Sequence, residues 1–256
     1  MDCLSVDRDQ PCAVLTIERP EARNAISRAV IAAFAGVLDQ LEKDPPQALI
    51  VTGRGDRAFI AGGDVRDFDA IRDLSEARAM AWSMRRVLDR VRALPCPTVA
   101  ALNGDAYGGG MEVAVSCDFR LARDDAVLAF NQISLGITPA WGGIERVAQL
   151  VGPGKAAHLL MTGERLSAAK GERIGLVEAS VPPAEFPGAL AAMRAQLGAA
   201  SGPALRAIKR AIDSAGRAVE PAAASAAVED FAQCWVDEAH WQAIEQMQDR
   251  RAAAKS

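Results

Sequence analysis

The first half of the chain alternates between runs of β-forming residues and stretches with apolar residues at helical spacing. Residues 13–19, 48–53 and 97–104 are rich in β-branched and other apolar residues, which predicts three strands. Apolar residues recur at steps of three and four after Ser27 and after Ser75. This spacing predicts two amphipathic helices, each with the serine as its N-cap.

The pattern changes in the second half of the chain. Residues 119–130 predict two short strands around the turn at Asp124 and Asp125. After about Gly142 the apolar residues follow helical spacing almost throughout, and an alanine-rich tail begins at Pro221. The sequence therefore predicts an α/β region over the first two thirds and a helical region over the last third.

Composition narrows the class of protein. The chain has 256 residues, 50% hydrophobic and 24% charged, with a net charge of -4. These values are typical of a soluble globular domain and argue against nucleic acid as the main partner. No apolar run approaches the roughly 20 residues of a membrane span. The acidic N-terminus is unlike a signal peptide, and the five cysteines are scattered with no C-x-x-C spacing. We therefore expect a cytoplasmic protein without a metal site.

Two glycine-rich stretches share the same arrangement. Residues 61–64 (AGGD) and 108–110 (GGG) each follow a strand and a loop, and each is expected to open a helix. A helix start carries unpaired N–H groups, and glycine lets a ligand approach the backbone closely. Two such starts facing each other can hold one oxyanion between two amides. The alternative is that these glycines only allow helices and strands to pack closely.

A single carboxylate follows the second glycine stretch. Glu112 stands among Met111, Val113, Ala114 and Val115. Burial of a carboxyl group disfavours its charged form and raises its pKa, which suits proton transfer near neutral pH. The alternative is a structural glutamate that is paired with an arginine or exposed at a helix start.

A third glycine pattern is a weak competitor. Residues 53–58 match G-x-G-x-x-A after a strand, as in dinucleotide-binding proteins. That fingerprint needs a helix that starts within the motif and continues, whereas Gly62 and Gly63 interrupt the stretch four residues later. The pattern favours a polar turn over a dinucleotide site.

With these motifs in family order, the chain resembles the enoyl-CoA hydratase/isomerase (crotonase) family. The resemblance implies an α/β, crotonase-like spiral of ββα units in residues 1–195, which carries the acyl-CoA site. It implies a C-terminal helical trimerisation region in residues 196–256, which also covers the pocket. A homotrimer or a hexamer built as a dimer of trimers is the expected assembly. The similar stretches are residues 18–27, 59–65, 101–122, 135–152 and 162–182.

The resemblance also implies a chemistry. The substrate is an acyl-CoA thioester, and its enolate is held by two backbone amides, which fall on Gly63 and Gly109. Hydratases of the family use two glutamates. The first falls on Glu112, but the second position, twenty residues on, holds Gln132. Glutamine does not exchange protons as a carboxylate does, although it still hydrogen-bonds a water or a substrate oxygen. One-base chemistry is therefore expected.

Further residues are implied as substrate contacts. Arg23 and Arg66 occupy positions where a basic side chain can pair with a CoA phosphate. Trp141, before two glycines, resembles a decarboxylase branch of the family and is expected to shape the acyl end; the alternative is simple packing. Asp64 is expected mainly to cap the helix that follows. The remaining expected contacts are Ala25, Ala61, Gly62, Val65, Gly108, Pro139 and Gly142.

Three functions stay open on the sequence. The first is an enzyme of the hydratase/isomerase type with Glu112 as its single acid/base. The second is a CoA-ester decarboxylase acting on methylmalonyl- or ethylmalonyl-type substrates. The third is a non-catalytic acyl-CoA binding protein that has lost its chemistry with the second glutamate. In each case no cofactor is expected beyond the coenzyme A of the substrate.

Overall fold

The computed structural model of the chain describes residues 3–8, 11–214 and 221–253. Its strands are β1 (Leu4–Asp7), β2 (Cys12–Ile17), β3 (Ala48–Gly53), β4 (Ala58–Ile60), β5 (Thr98–Leu102), β6 (Asp105–Tyr107), β7 (Phe119–Arg123), β8 (Val127–Ala129), β9 (Leu166–Ser167) and β10 (Ala179–Val181). Its α-helices are α1 (Arg28–Lys43), α2 (Val65–Phe68), α3 (Leu74–Ala93), α4 (Gly109–Ser116), α5 (Gly143–Val151), α6 (Pro153–Thr162), α7 (Ala168–Arg173), α8 (Phe186–Ala199), α9 (Gly202–Ile212), α10 (Pro221–Val236) and α11 (Glu238–Ala253). Short 3₁₀ helices span Pro20–Ala22 and Asn131–Leu135.

The strands form two sheets, and the chain passes from one to the other at each turn. The first sheet has the order β1-β2-β3-β5-β7-β10, and the second has the order β4-β6-β8-β9. In each of the pairs β3/β4, β5/β6 and β7/β8, the first strand joins one sheet and the second joins the other. Because α3, α4 and α5 follow these pairs, the chain winds as a spiral of ββα units, as the family resemblance implied.

The first sheet is parallel except at its β1 edge, where β1 runs antiparallel to β2. Parallel sheets are covered on both faces, so their strands carry apolar residues on both sides. β3 fits this rule, since five of its six residues are buried. This explains why residues 48–51 are a continuous apolar run in the sequence.

The two predicted serine caps have different outcomes. Ser27 caps α1 as predicted, and its Oγ accepts a hydrogen bond from Val30 N at 3.3 Å. The prediction for Ser75 was wrong, because α3 is capped by Asp73, whose carboxylate accepts from the amides of Ser75 and Glu76 at 2.8 and 3.2 Å. An ionised acceptor is the stronger partner for the positive end of a helix.

The weak dinucleotide pattern does not form a dinucleotide-binding turn. Gly53 ends β3, and the next element is the strand β4 rather than a helix. The helix that would receive a pyrophosphate at its N-terminus is therefore missing at this position. A dinucleotide site at residues 53–58, which the sequence disfavoured, is therefore excluded.

After β10 the described residues form helices only. α10 lies along α3, where Arg78 forms an ion pair with Glu229 at 2.7 Å and the indole N–H of Trp235 donates to Ile71 O at 3.3 Å. Phe231 and Trp235 are buried in the main core. α10 thus covers the chain's own core beside α2 and α3.

The boundary expected after residue 195 lies within α8. The division into a core and a C-terminal region stays a prediction, as does the role of that region in trimerisation. Within the described ranges, no helix is long and apolar enough to cross a membrane.

Candidate active site

Glu112 lies in the first turn of α4, in the buried interior. All eight residues of α4 are buried, and only 3% of Glu112 is exposed. A helix that is apolar on every side is enclosed by other elements, so its one carboxylate is held away from water. The positive end of the helix favours an anion at this position.

Three neutral donors surround the Glu112 carboxylate. Its Oε1 accepts from the backbone amides of Trp141 and Gly143 at 2.7 and 3.0 Å, and its Oε2 accepts from Gln132 Nε2 at 3.0 Å. Gly143 has to be glycine for this contact, because an added Cβ would lie 2.7 Å from Glu112 Cγ. The carboxylate is therefore fixed in position without a direct ion pair.

These surroundings place the titration of Glu112 near neutrality. Burial raises the pKa of its carboxyl group from 4.5 to about 7, and the three hydrogen bonds and the charge of Arg146 only partly oppose this rise. Such a group exists in both protonation states near pH 7, which general acid–base chemistry requires. The rise in the pKa agrees with the sequence expectation for a buried Glu112.

The two glycine turns lie next to each other. Gly109 opens α4, and a Cβ placed on Gly62 would be 3.6 Å from Gly109 N. Gly63 pairs with Ile26 in an isolated bridge, in which Ile26 N and Asp64 N are the donors. Among the described residues, no group accepts a hydrogen bond from the N–H of Gly63 or Gly109. The backbone amides of Gly63 and Gly109, in adjacent turns, are thus available to donate hydrogen bonds to a ligand.

The indole of Trp141 lies between these turns. A Cβ added to Gly63 would be 3.5 Å from the indole, and one added to Gly109 would collide with it. Trp141 is 5% exposed and its backbone amide holds Glu112, so one residue contacts both glycines with its side chain and the carboxylate with its backbone. The structure brings together the four residues predicted to be catalytic and Trp141, which the sequence analysis expected to shape the acyl end.

Gln132 occupies the position where the family's second glutamate is expected. It lies on the 3₁₀ helix Asn131–Leu135 and is buried, and its amide carbon is 3.7 Å from a Cβ placed on Gly108. Its Nε2 donates to Glu112, whereas its Oε1 has no hydrogen-bond partner in the part of the chain that the structure describes. A buried amide oxygen in this state is a ready acceptor for a donor on a bound molecule.

The predicted basic contacts lie outside this centre. Arg23 is half-buried, forms an ion pair with Asp105 at 2.9 Å and lies 5.5 Å from the ring centroid of Tyr107. Arg66 is exposed. Arg23 therefore already has a carboxylate partner, while Arg66 faces solvent; contact of either with a CoA phosphate stays a prediction.

Asp64 has the capping role expected from the sequence. Its carboxylate accepts from Arg66 N at 3.2 Å, at the start of α2, and it also forms an ion pair with Arg19 at 2.8 Å. Asp64 thereby fixes the backbone that follows Gly63.

The other predicted contacts follow the same two turns. Ala61 N and Gly62 O bond to the backbone of the 23–26 segment, Ala25 O accepts from Arg19, and Val65 begins α2. Gly108 is the N-cap of α4 with a φ of 51°, Pro139 is buried, and Gly142 is the N-cap of α5 with a φ of 99°. These residues surround the Gly63 and Gly109 turns, and their contacts with substrate stay predictions.

Sequence reasoning missed the groups that hold Glu112. It did not identify the amide of Gly143 as a donor, nor Arg146, which donates to Trp141 O at 2.8 Å. The glycine pair after Trp141 was the available signal, since glycine often marks a close approach of backbone to another group. Within the described ranges, no three His, Cys, Asp or Glu side chains are grouped as metal ligands.

Known proteins are similar to this chain in both sequence and fold. A family model described as enoyl-CoA hydratase/isomerase matches residues 7–252. Crotonyl-CoA hydratase of Syntrophomonas wolfei is 38% identical over 182 residues, which are 71% of this chain and 70% of that protein. Short-chain-enoyl-CoA hydratase of Clostridium acetobutylicum is 37% identical over 71% of this chain and 69% of its own length.

Solved structures agree with these matches. An enoyl-CoA hydratase from Bacillus anthracis has a TM-score of 0.80 at 28% identity, over 97% of this chain and 96% of that one. An enoyl-CoA hydratase from Mycobacterium avium subsp. paratuberculosis has a TM-score of 0.86 at 26% identity, over 95% and 98% of the two chains. The similarity therefore extends over nearly the whole fold.

Proposed function

The chain belongs to the enoyl-CoA hydratase/isomerase family, and we propose that it is an acyl-CoA enzyme with a two-amide oxyanion hole and one glutamate acid/base. In this proposal the amides of Gly63 and Gly109 bind the thioester oxygen. Glu112 moves the proton, and Gln132 and Trp141 border the acyl group.

The oxyanion hole stabilises charge that appears during the reaction. When Cα of the acyl group carries an electron pair, the negative charge moves to the thioester oxygen as an enolate. Two fixed amides lower the energy of that enolate without having to reorganise, and losing one such donor typically costs about 10²- to 10³-fold in rate. The adjacency of the two turns and the unused N–H groups of Gly63 and Gly109 support this part of the proposal.

The state of Glu112 is the observation that carries the proposal. Its carboxyl group is buried, is held by neutral donors and has its pKa raised to about 7. A structural glutamate that is paired with a direct cation would stay ionised at that pH. Because Glu112 is held in place and still titrates, it is suited to accept a proton and return it to the same substrate.

Gln132 favours reactions that need one base only. In a double-bond shift, Glu112 removes a proton from C2 of a 3-enoyl-CoA, the electrons pass through the enolate, and the same group returns the proton at C4 to give the 2-enoyl-CoA. Hydration by this site needs Glu112 to activate the water and supply the Cα proton, with Gln132 Oε1 accepting a hydrogen bond from the water.

A second candidate function is decarboxylation of a malonyl-type CoA ester. The bond from Cα to the carboxylate breaks, CO₂ leaves, and the electron pair is held as the enolate until Cα takes a proton from the acid form of Glu112. This reaction needs no second carboxylate. The packing of Trp141 against both glycine turns favours it, since an apolar surface beside the leaving carboxylate disfavours the charged reactant.

Turnover of a substrate panel by the native enzyme and by Glu112→Gln tests the proposal. The panel contains crotonyl-CoA and longer 2-enoyl-CoAs for hydration, 3-enoyl-CoAs for isomerisation, and methylmalonyl- and ethylmalonyl-CoA for release of CO₂. We expect the substitution to lower kcat by at least about 10²-fold, the lower end of a general acid–base contribution. Binding of the CoA ester, measured by calorimetry, should stay within about tenfold of native binding.

Each outcome of the panel has a distinct meaning. Full turnover by Glu112→Gln would refute the role of Glu112. A native enzyme that binds CoA esters and converts none of them would instead indicate the non-catalytic binding protein.

The change Gln132→Glu tests whether the missing carboxylate limits hydration. The new carboxyl group would lie within hydrogen-bond distance of Glu112, so the pair would share a proton and one pKa would rise. We expect measurable hydration of crotonyl-CoA to appear or to increase. Gln132→Leu is the matched control, because it keeps the approximate size without a proton-transfer group; an equal gain in both variants would contradict this reading.

The assembly and location are also part of the proposal. The family resemblance supports a homotrimer or a hexamer in the cytoplasm, with no cofactor besides the coenzyme A of the substrate. Arg23 and Arg66 are proposed to meet CoA phosphates, which for Arg23 requires a phosphate to join or replace Asp105. Light scattering of the purified protein distinguishes the trimer from the hexamer.

A further inference from the structure

Arg146 lies behind the active-site loop and has no part in the chemistry described above. It is on α5 and is one of the largest fully buried side chains. Its Nη1 donates to Trp141 O at 2.8 Å and to Ser116 Oγ at 2.6 Å, and its Nη2 pairs with Asp89 of α3. A buried guanidinium with this many partners fixes the relative positions of the elements that it joins.

The hydrogen bonds of Arg146 form a network that reaches Glu112 by two routes. Ser116 Oγ accepts from Arg146 and donates to Glu112 O at 2.6 Å, so Arg146 is tied to the backbone of the catalytic turn. Trp141 O accepts from Arg146, while Trp141 N donates to the Glu112 carboxylate. Both the backbone and the carboxylate of Glu112 are thus linked to one guanidinium.

Gly142 shows how closely Arg146 fits this loop. Its φ is 99°, which favours glycine, and an added Cβ would lie 2.5 Å from Arg146 Nη1. The loop passes directly over the guanidinium, and only glycine leaves room for it. The turn that delivers the amides of Trp141 and Gly143 to Glu112 is therefore shaped around Arg146.

We propose that Arg146 is a positioning residue for the reaction: it holds the Trp141–Gly143 loop and the end of α4 so that the loop amides meet the Glu112 carboxylate. It acts through the loop and does not touch substrate. The inference rests on the proposed function, since it gives Arg146 a purpose only if Glu112 transfers a proton.

The charges around Arg146 and Glu112 allow the roles of charge and geometry to be separated. Facing Arg146 are Asp89 and Arg85 from α3, Glu145 from α5 itself and Glu112 from α4. Facing Glu112 are the neutral amide of Gln132, the two loop amides and the charge of Arg146, which lowers the pKa of Glu112 against the larger effect of burial. Removing the charge of Arg146 should therefore move the Glu112 titration to higher pH.

Arg85 provides a matched control. It is as buried as Arg146 and belongs to the same group of charges, with ion pairs to Asp89 and Glu145. In the described parts of the chain it forms no hydrogen bond with the 141–143 loop. Arg85→Met therefore removes a buried cation from the same cluster and leaves the loop contacts in place.

Infrared titration of the Glu112 carboxyl group, as the difference between each protein and its Glu112→Gln partner, tests the inference without substrate. The native midpoint should lie at pH of about 7. Arg146→Met should move it to higher pH, because the charge of Arg146 and the placement of the loop amides are both lost. Arg146→Lys, which keeps the charge, should move it less far in the same direction, and Arg85→Met should leave it near the native value.

Kinetics on the acyl-CoA that the panel identifies provide the second readout. Both Arg146 variants should lower kcat, by up to about 10²-fold for a displaced catalytic group, with KM within about threefold. Arg85→Met should keep kcat within about threefold. Where Arg146→Met does not fold, Arg146→Lys still tests the loss of kcat at unchanged KM.

Two results overturn the inference. A native infrared midpoint in Arg146→Met would do so, as would equal losses of kcat in the Arg146 and Arg85 variants. If Glu112→Gln keeps its turnover, the proposed function fails first. If Glu112→Gln is inactive while the Arg146 variants match Arg85→Met, only the positioning role fails.

Discussion

Two buried carboxylates lie at opposite ends of α4, and their partners differ. Glu112, in the first turn, is held by two backbone amides and the amide of Gln132. Asp118, just beyond the last turn, is held by the ammonium group of Lys209 at 2.9 Å, with both side chains 7% exposed. One carboxylate has neutral direct partners, and the other has a cation.

The difference in partners distinguishes the candidate acid/base Glu112 from Asp118, which links elements of the fold. Asp118 also accepts from the amide and hydroxyl of Thr98, and Lys209 also donates to Cys96 O, so the pair fastens α9 to the strands β5 and β7. A cation keeps a neighbouring carboxylate ionised, whereas neutral donors only partly offset burial. Burial of a carboxylate therefore does not by itself indicate a proton-transfer group; the charge of the direct partner is what distinguishes Glu112 from Asp118.

Removal of Lys209 should have the largest effect on stability. Lys209→Met leaves Asp118 buried without its cation, and breaking a buried pair in this way typically costs about 3–5 kcal/mol. Urea unfolding measures this loss. The kcat of the folded variant should stay near native, because the pair contacts none of the groups that hold Glu112.

The double variant Lys209→Met/Asp118→Asn is the control for this prediction. Removing both charges avoids the uncompensated carboxylate, so the double variant should be more stable than Lys209→Met alone. A single variant as stable as the native protein would show that the pair contributes little and would weaken the comparison.

The pH dependence of stability should show that Glu112 titrates near neutral pH. Its folded-state pKa of about 7 lies above the usual value of 4.5. Between these two values the folded state holds a proton that the unfolded state has lost, so stability falls as the pH rises. The contribution is complete below pH 4.5 and is lost above about pH 7, with a total of about 3 kcal/mol.

Unfolding of the native protein and of Glu112→Gln across this range measures that contribution. The difference in free energy of unfolding should shift in favour of Glu112→Gln as the pH rises. A difference that is constant across the range would mean that Glu112 does not titrate there.

Displacing the Glu112 carboxylate while keeping its carboxyl group should lower activity, with a smaller effect than the changes above. In Gly143→Ala the new Cβ would lie 2.7 Å from Glu112 Cγ and 2.9 Å from its Oε1, so the side chain has to move. Misplacement of a catalytic group by about 1 Å can cost about 10²-fold in rate. We expect kcat to fall by up to that factor while the protein still folds.

Gly36→Ala is the matched glycine control. Gly36 lies within α1, and a Cβ added there meets nothing within 4 Å. The substitution should keep kcat unchanged and stabilise the protein by about 0.4–1 kcal/mol, because alanine has less backbone freedom to lose than glycine. A similar loss of kcat in both variants would show that the effect of Gly143→Ala is not specific to Glu112.

The sequence predicted elements well where local chemistry decides them. Ser27 capped its helix as expected, and residues 119–130 formed two strands around a turn. Even there, β7 and β8 join different sheets rather than each other, which the local pattern does not specify. Ser75 failed as a cap because a stronger acceptor, Asp73, stands two residues before it.

The candidate site was predictable only in part. The glycines before Glu112 marked the turn, and the family resemblance located Gln132 twenty residues later, where the fold brings the two side chains to 3.0 Å. The amides of Trp141 and Gly143 were not predictable as donors, since any residue but proline carries such a group and only its placement distinguishes it.

The sequence alone indicated the alternation of elements, the family and Glu112 as the candidate carboxylate, because periodicity, caps and motifs are local properties of the chain. Only the tertiary structure decided that Glu112 is held by neutral donors, that Asp118 is paired with a cation and that Arg146 lies behind the loop. Along the chain, Trp141 and Gly143 are 29 and 31 residues from Glu112, and Arg146 is 30 residues from Ser116. Lys209 is 91 residues from Asp118. Electrostatic energy depends on distance in space, which separation along the chain does not fix.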